Sequence, residues 1–225
     1  MNNHSAPSVW RNSHKIGLVG LLLAQFAMAY VVGTKHLLTN DSLSLFLPIG
    51  ITVAIPVTLF LAACGFSPRF RDFILAQDLR ILTMMQYWRV VGFVFLPLYA
   101  FDVLPGLFAW PAGVGDVLVG LMAAVIVARM DRDPDYFLTS GYRRFHALGL
   151  LDFALAIGTS GLASGAFPAL IVNNITSAPM DIWPMNIFPS FLVPAFIILQ
   201  LTALLKVRAF RREATTGLVG EFKLA

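Results

Sequence analysis

Residues 84–103 read MMQYWRVVGFVFLPLYAFDV, a run apolar and long enough to cross a bilayer that carries one guanidinium, Arg89, in its first third. A hydrocarbon core of about 30 Å calls for about 20 apolar residues in a helix. An arginine at the centre of such a helix costs about 2.5–3.5 kcal/mol on insertion scales. Arg89 therefore demands acceptors from elsewhere in the chain. That requirement restricts the fold to a bundle whose other helices bring carboxylates or amides to the same depth. Composition agrees: 58% of the residues are hydrophobic and 12% are charged, against about 25% charged in soluble domains. The expected fold is all-α, a polytopic membrane protein built as a bundle of six transmembrane helices.

The apolar stretches fall at residues 16–33, 43–66, 83–104, 112–128, 145–163 and 187–205. They divide the chain into an N-terminal segment (1–15), a membrane domain (16–205) and a basic tail (206–225). Arg11 and Lys15 before the first run, and Ala27-Met28-Ala29 near its end, give it the outline of a signal peptide. The run continues past that point and further spans follow, so it is read as a retained span. Pro48 and Pro56 should kink the second span, a defect membrane helices tolerate when neighbours satisfy the freed carbonyls. Ser67-Pro68 reads as an N-cap and first helical residue, opening a short interfacial helix with Phe70, Phe73 and Ile74 on one face. Residues 104–113 read as a turn carrying Trp110 and two prolines at the interface.

Six spans put both termini on one side. Of the sixteen Lys and Arg residues, only Lys35 then falls on the opposite side, and only Arg89 lies inside the membrane. That asymmetry places both termini in the cytoplasm. It also accounts for the formal charge of +4 without nucleic acid as a partner. Membrane lipids, a small-molecule ligand, and a second copy or another membrane protein are the expected partners. The one cysteine, Cys64, has no partner for a disulfide, and no Cys/His spacing marks a zinc or haem site, so no metal or cofactor is expected.

The candidate site residues are Arg89, Asp116, Asp152, Gln86 and Gln200. From the helical rise, Arg89, Asp152 and Gln200 all fall about 9–11 Å from the inner boundary. Matched depth predicts an Arg89–Asp152 ion pair supported by Gln200, by Gln86 one turn before Arg89, and by Gln25. Such a pair either fixes helix register or forms a ligand or proton site. Asp116 falls about 6–8 Å inside the outer boundary, away from any cation. It reads either as a titratable outer site or as a cap on its own helix start. His146 is expected at the cytoplasmic mouth of its span as an interfacial residue. Gly120-x-x-x-Ala124 and Ala154-x-x-x-Gly158 read as close-packing pairs. Gly113-x-x-Asp116 and Gly149-x-x-Asp152 match in spacing, which seventeen glycines can produce by coincidence. Residues 164–186 form the longest loop, an ordinary connection or a lid that buries Leu170, Ile171 and Val172.

Gln86-x-x-Arg89-x-x-Gly92, Gly113-x-Gly115-Asp116, Leu148-Gly149-x-Leu151-Asp152 and Pro189-x-x-x-x-Pro194 resemble motifs of a group of small bacterial multi-pass membrane proteins of unknown function. The resemblance covers residues 86–201 and implies a bacterial cytoplasmic membrane, with no activity attached. Three functional classes follow. The first is a protein that binds or transports a small molecule, proton-linked through the polar cluster. The second is a non-catalytic membrane subunit. The third is a membrane enzyme acting on a lipid or quinone, for which the sequence offers no nucleophile–base pair.

Overall fold

The structure, a computed structural model, describes the backbone of residues 12–39 and 47–222 and the side chains of 19–39 and 50–212. Helix α1 (Asn12–Thr34) is followed by α2 (Leu47–Phe66) and the short α3 (Pro68–Leu75). Next come α4 (Leu79–Met85), a 3-10 segment (Gln86–Val94) and α5 (Phe95–Ala100), which run as one rod. The long α6 (Gly106–Arg132) and α7 (Ser140–Leu162) precede a π-helical turn (Phe188–Leu192) that leads into α8 (Val193–Phe222). Among the described residues no β-strand occurs; one isolated bridge joins Val172 and Ile175.

Four helical rods are long and apolar enough to cross a membrane: Leu79–Ala100, Gly106–Arg132, Ser140–Leu162 and Phe188–Arg212. The pair α2–α3 makes a fifth only if counted as one broken span, bent by 108°. The described apolar part of α1, Val19–Thr34, is shorter. Side-chain placement is inverted relative to a soluble protein. Trp88, Leu118 and Leu151 are more than half exposed, while Gln86, Arg89, His146 and Gln200 are fully or almost fully buried. Only a lipid surround makes that inversion favourable, because water would reward the opposite arrangement. The protein is a helical membrane protein.

Local chemistry explains several boundaries. The Ser67 side chain accepts from the Phe70 amide at 3.3 Å with Pro68 at the first helical position, as expected. Phe70 and Phe73 then pack with Ile74 against Phe60 and Cys64 of α2 and Leu201 of α8, so α3 folds back on the bundle. Asp78 caps α4 by accepting from the Arg80 amide at 2.7 Å, and Thr139 caps α7. Helix α6 starts at Gly106, directly after Pro105, so Trp110 and Pro111 lie inside it and not in a turn. The basic residues after 205 continue α8 as helix to Phe222, where a separate tail was expected.

The membrane-length rods share two ends. One carries Arg80, Arg129, Arg132 and Arg143 and is called here the basic end. The other carries the 101–105 turn and the 163–187 loop. Two apolar clusters fill the interior. Leu79, Leu82, Val119, Ile126, Tyr142, Phe145 and Val207 pack toward the basic end. Phe95, Leu104, Phe108, Ala112 and Ala163 pack toward the loop end. Met180 of the loop belongs to that second cluster, whereas Leu170 and Val172 are exposed, so the loop folds over the bundle through a different residue from those expected. Arg89 sits between the clusters.

Candidate functional site: a buried charge cluster at Arg89

The rod Leu79–Ala100 presents Thr83, Gln86, Arg89, Gly92 and Phe95 to the interior, and each is buried. This spacing of three is the period of a 3-10 helix, in which positions i and i+3 eclipse. The Gln86–Val94 segment is such a helix over nine residues, well beyond the usual 3–4. An α-helix would rotate these positions about 60° per step away from one line, given its 3.6-residue turn. The 3-10 winding keeps them in a row, which stacks the Gln86 amide, the Arg89 guanidinium and the bare face of Gly92.

Two neighbouring helices, α6 and α7, close on the guanidinium. Arg89 Nε donates to Asp116 Oδ1 of α6 at 2.8 Å. Nη1 donates to the Gly149 carbonyl of α7 at 3.2 Å, and Nη2 donates to Asp152 Oδ2 of the same helix. The guanidinium carbon lies 3.7 Å from the centroid of the Phe153 ring, a cation–π contact in a desolvated setting. The Arg89 side chain is fully buried, and those of Asp116 and Asp152 keep 13% and 12% of their surface accessible.

Glycines make the room. A Cβ on Gly92 would strike the Asp116 carboxylate, one on Gly115 would strike Asp152, and one on Gly149 would meet Gln200 Nε2 and Arg89 Nη1. The polar chain ends therefore occupy space that side chains at 92, 115 and 149 would fill.

The expected Arg89–Asp152 pair is present. The reading of Asp116 as an unpaired outer carboxyl, or as a cap on its helix start, is corrected: it binds the same guanidinium. The cause is the true start of α6. Beginning at Gly106 instead of Ala112, the helix carries Asp116 nearly two turns deeper than assumed, level with Arg89. The two Gly-x-x-Asp motifs, read as coincidence, mark the two carboxylates that converge on one cation.

Gln86 donates through Nε2 to the Phe196 carbonyl at 3.3 Å, and its Oε1 is buried without a partner. Gln200 lies against Gly149 and the guanidinium, with neither amide atom partnered. His146 is fully buried between the rings of Tyr142 and Phe145 with both nitrogens unpartnered, which corrects its placement as an interfacial residue. Sequence depth missed it because α7 begins at Ser140, more than a turn before the apolar run. Tyr142 Oη and Thr83 Oγ1 share a hydrogen bond of 3.0 Å. Gln25 does not join the cluster; it reaches the Ser190 carbonyl at 3.3 Å. Gly120 packs against Val90 as expected, whereas Gly158 faces open space.

These features define a class: a helical membrane protein whose core holds one arginine between two aspartates, flanked by buried amides and a histidine. The chain belongs to the family of the domain of unknown function DUF8737, whose model matches residues 46–208. No curated protein and no solved structure matches it. The match begins before α2 and ends within α8, so every residue of the cluster lies inside it.

Proposed function

We propose that this is a multi-pass protein of a bacterial cytoplasmic membrane, with six spans and both termini in the cytoplasm, that binds and moves a small solute, with proton coupling, through the cluster at Arg89. The distribution of Lys and Arg supports the orientation. In this reading the bent pair α2–α3 and α1, whose described apolar part is shorter than the four rods, count as the two further spans. The observation that carries the functional reading is the unsatisfied polar set beside a fully engaged arginine. Among the described residues, Gln86 Oε1, both amide atoms of Gln200 and both ring nitrogens of His146 are buried without partners. A latch made only to hold helices would satisfy its polar atoms or replace them with apolar ones. Open donors and acceptors on three neighbouring helices, on the basic side of Arg89, are what a path for water, protons or a polar solute requires.

Proteoliposomes holding a pH-sensitive dye test this. Under an imposed membrane potential, the protein should pass protons. Gln200→Leu should slow that flux at least about tenfold, without lowering the unfolding midpoint. Equal flux in wild type, Gln200→Leu and protein-free liposomes would overturn the reading.

A second reading, a non-catalytic subunit, draws on a different observation. A groove of about 570 Å³ lies on the outer surface, lined by Met84, Tyr87, Trp88, Val90, Ala124 and Val127. A helix of another membrane protein, or of a second copy, would fill it. Recovery of a stoichiometric complex by native mass spectrometry from the protein's own membrane would favour that reading.

A further inference from the structure

The groove between the rod Leu79–Ala100 and α6 is bracketed by two contacts. At its deep end a Cβ on Gly120 would lie 2.8 Å from Val90 Cγ1 and 3.2 Å from the Tyr87 carbonyl, so the two helices meet there. At its shallow end Arg80 binds Asp131 through Nε at 2.6 Å and Nη2 at 3.1 Å. Between these points α6 presents Ala124 and Ala128, both exposed and too small to fill the space beside Met84, Tyr87 and Trp88 of the rod. The result is the groove of about 570 Å³, which Asp131 also lines. From Ala124 to Asp131 it runs about 10 Å along α6. Its walls are apolar over that length and end on an ion pair at the basic end.

That ion pair carries no net charge, yet it keeps an open position of each sign. Arg80 Nη1 has no partner among the described residues, and each Asp131 oxygen accepts one bond and retains a lone pair. About half of each side chain is exposed.

We propose that the groove holds an acyl chain of a phospholipid whose head is a phosphate ester bearing a primary ammonium, the phosphoethanolamine class. The phosphate accepts from Arg80 Nη1, and the ammonium donates to Asp131. Four charges then alternate in sign, joined by charge-assisted hydrogen bonds. A trimethylated ammonium has no N–H to give Asp131. A phosphate head without a cation brings its negative charge beside the Asp131 carboxylate. Neither of those heads completes the set. Acyl chains already surround the rods of a membrane protein, whereas a protein partner must be recruited and pays the entropy of association. The proposal stands apart from the solute-moving reading and competes with the subunit reading for one surface.

The test is native mass spectrometry of the full chain released from vesicles of equal parts phosphatidylethanolamine, phosphatidylcholine and phosphatidylglycerol with identical chains. One lipid should stay on each protein, with phosphatidylethanolamine at least about fivefold above either of the others. Asp131→Ala breaks a surface pair whose loss hardly affects folding. It leaves Arg80 as a lone cation, so the order should change and phosphatidylglycerol should be retained most. Ala124→Phe puts a ring into the groove from an exposed position and should lower retention of all three lipids together. Equal retention of the three by the wild type, a wild-type preference for phosphatidylglycerol, or a phosphatidylethanolamine preference that survives Asp131→Ala would each overturn the proposal. So would a dimer or a fixed protein complex that Ala124→Phe dissolves, because a helix then fills the groove.

Discussion

Two ion contacts join the rod Leu79–Ala100 to α6, nine residues apart on the rod and fifteen apart on α6. Arg80 and Asp131 meet at 2.6 Å at the basic end, with about half of each side chain exposed. Arg89 and Asp116 meet at 2.8 Å in the middle, with the arginine fully buried. The distances are alike and the consequences differ. At the surface, water and salt serve either partner nearly as well as the other partner does. In the interior, an unpaired charge has nothing to replace its partner, so geometry must be complete. That is why Arg89 has two carboxylates, a backbone carbonyl and a ring face, while Arg80 has one aspartate. Three glycines are given over to the buried contact, and none is needed at the surface.

Removing the buried cation should have the largest effect. Arg89→Met leaves Asp116 and Asp152 facing each other, and should cost about 3–5 kcal/mol of stability or prevent assembly. The double change Asp116→Asn with Asp152→Asn should cost a similar amount, because it strands the guanidinium. Each single Asn change should cost far less, since one carboxylate still balances Arg89. Unfolding midpoints in detergent, compared across this cycle, read the non-additivity directly.

Space comes next. Gly115→Ala drives a methyl into the Asp152 carboxylate and should cost about 1–3 kcal/mol, while Gly158→Ala on the same bundle meets open space and should be neutral. Thermal unfolding monitored by size-exclusion chromatography separates the two.

A smaller effect concerns Asp181 in the covering loop. Burial without a partner pushes its carboxyl up to about 6. A folded-state value above the unfolded one favours the protonated form, so the loop's contribution to stability is full below pH 4 and falls as pH rises through about 6. Protease susceptibility of residues 163–187 should rise across that window, and Asp181→Asn should flatten the profile.

The smallest effect belongs to the surface pair. Arg80→Ala should leave the midpoint unchanged at moderate salt. A shift comparable with that of Arg89→Met would erase the distinction between the two contacts.

Much of the fold was legible because apolar runs and isolated charges are strong signals in a membrane chain. The stretches at 83–104, 112–128, 145–163 and 187–205 correspond to the four membrane-length rods, each with shifted ends. The Arg89–Asp152 pair was legible from depth alone. Asp116 was misplaced for one reason: Trp110 and Pro111 look like a turn, yet α6 runs through Pro111 as an interior proline, which membrane helices tolerate when neighbouring groups satisfy the freed carbonyl. The start of α6 moved, and the depth of everything on it moved as well. His146 was misread for the same reason at the start of α7. The repeated Gly-x-x-Asp spacing was the available signal for a second carboxylate.

The sequence by itself determined that the chain is a helical membrane protein and that Arg89 must find an acceptor, because the cost of an unpaired guanidinium in lipid does not depend on the fold. Only the tertiary structure decided that two aspartates share it and that a 3-10 winding aligns Gln86, Arg89 and Gly92. Those outcomes depend on where helices start and which faces meet. Both are set by packing between segments far apart in the chain, where a shift of one turn decides whether a carboxylate reaches its partner.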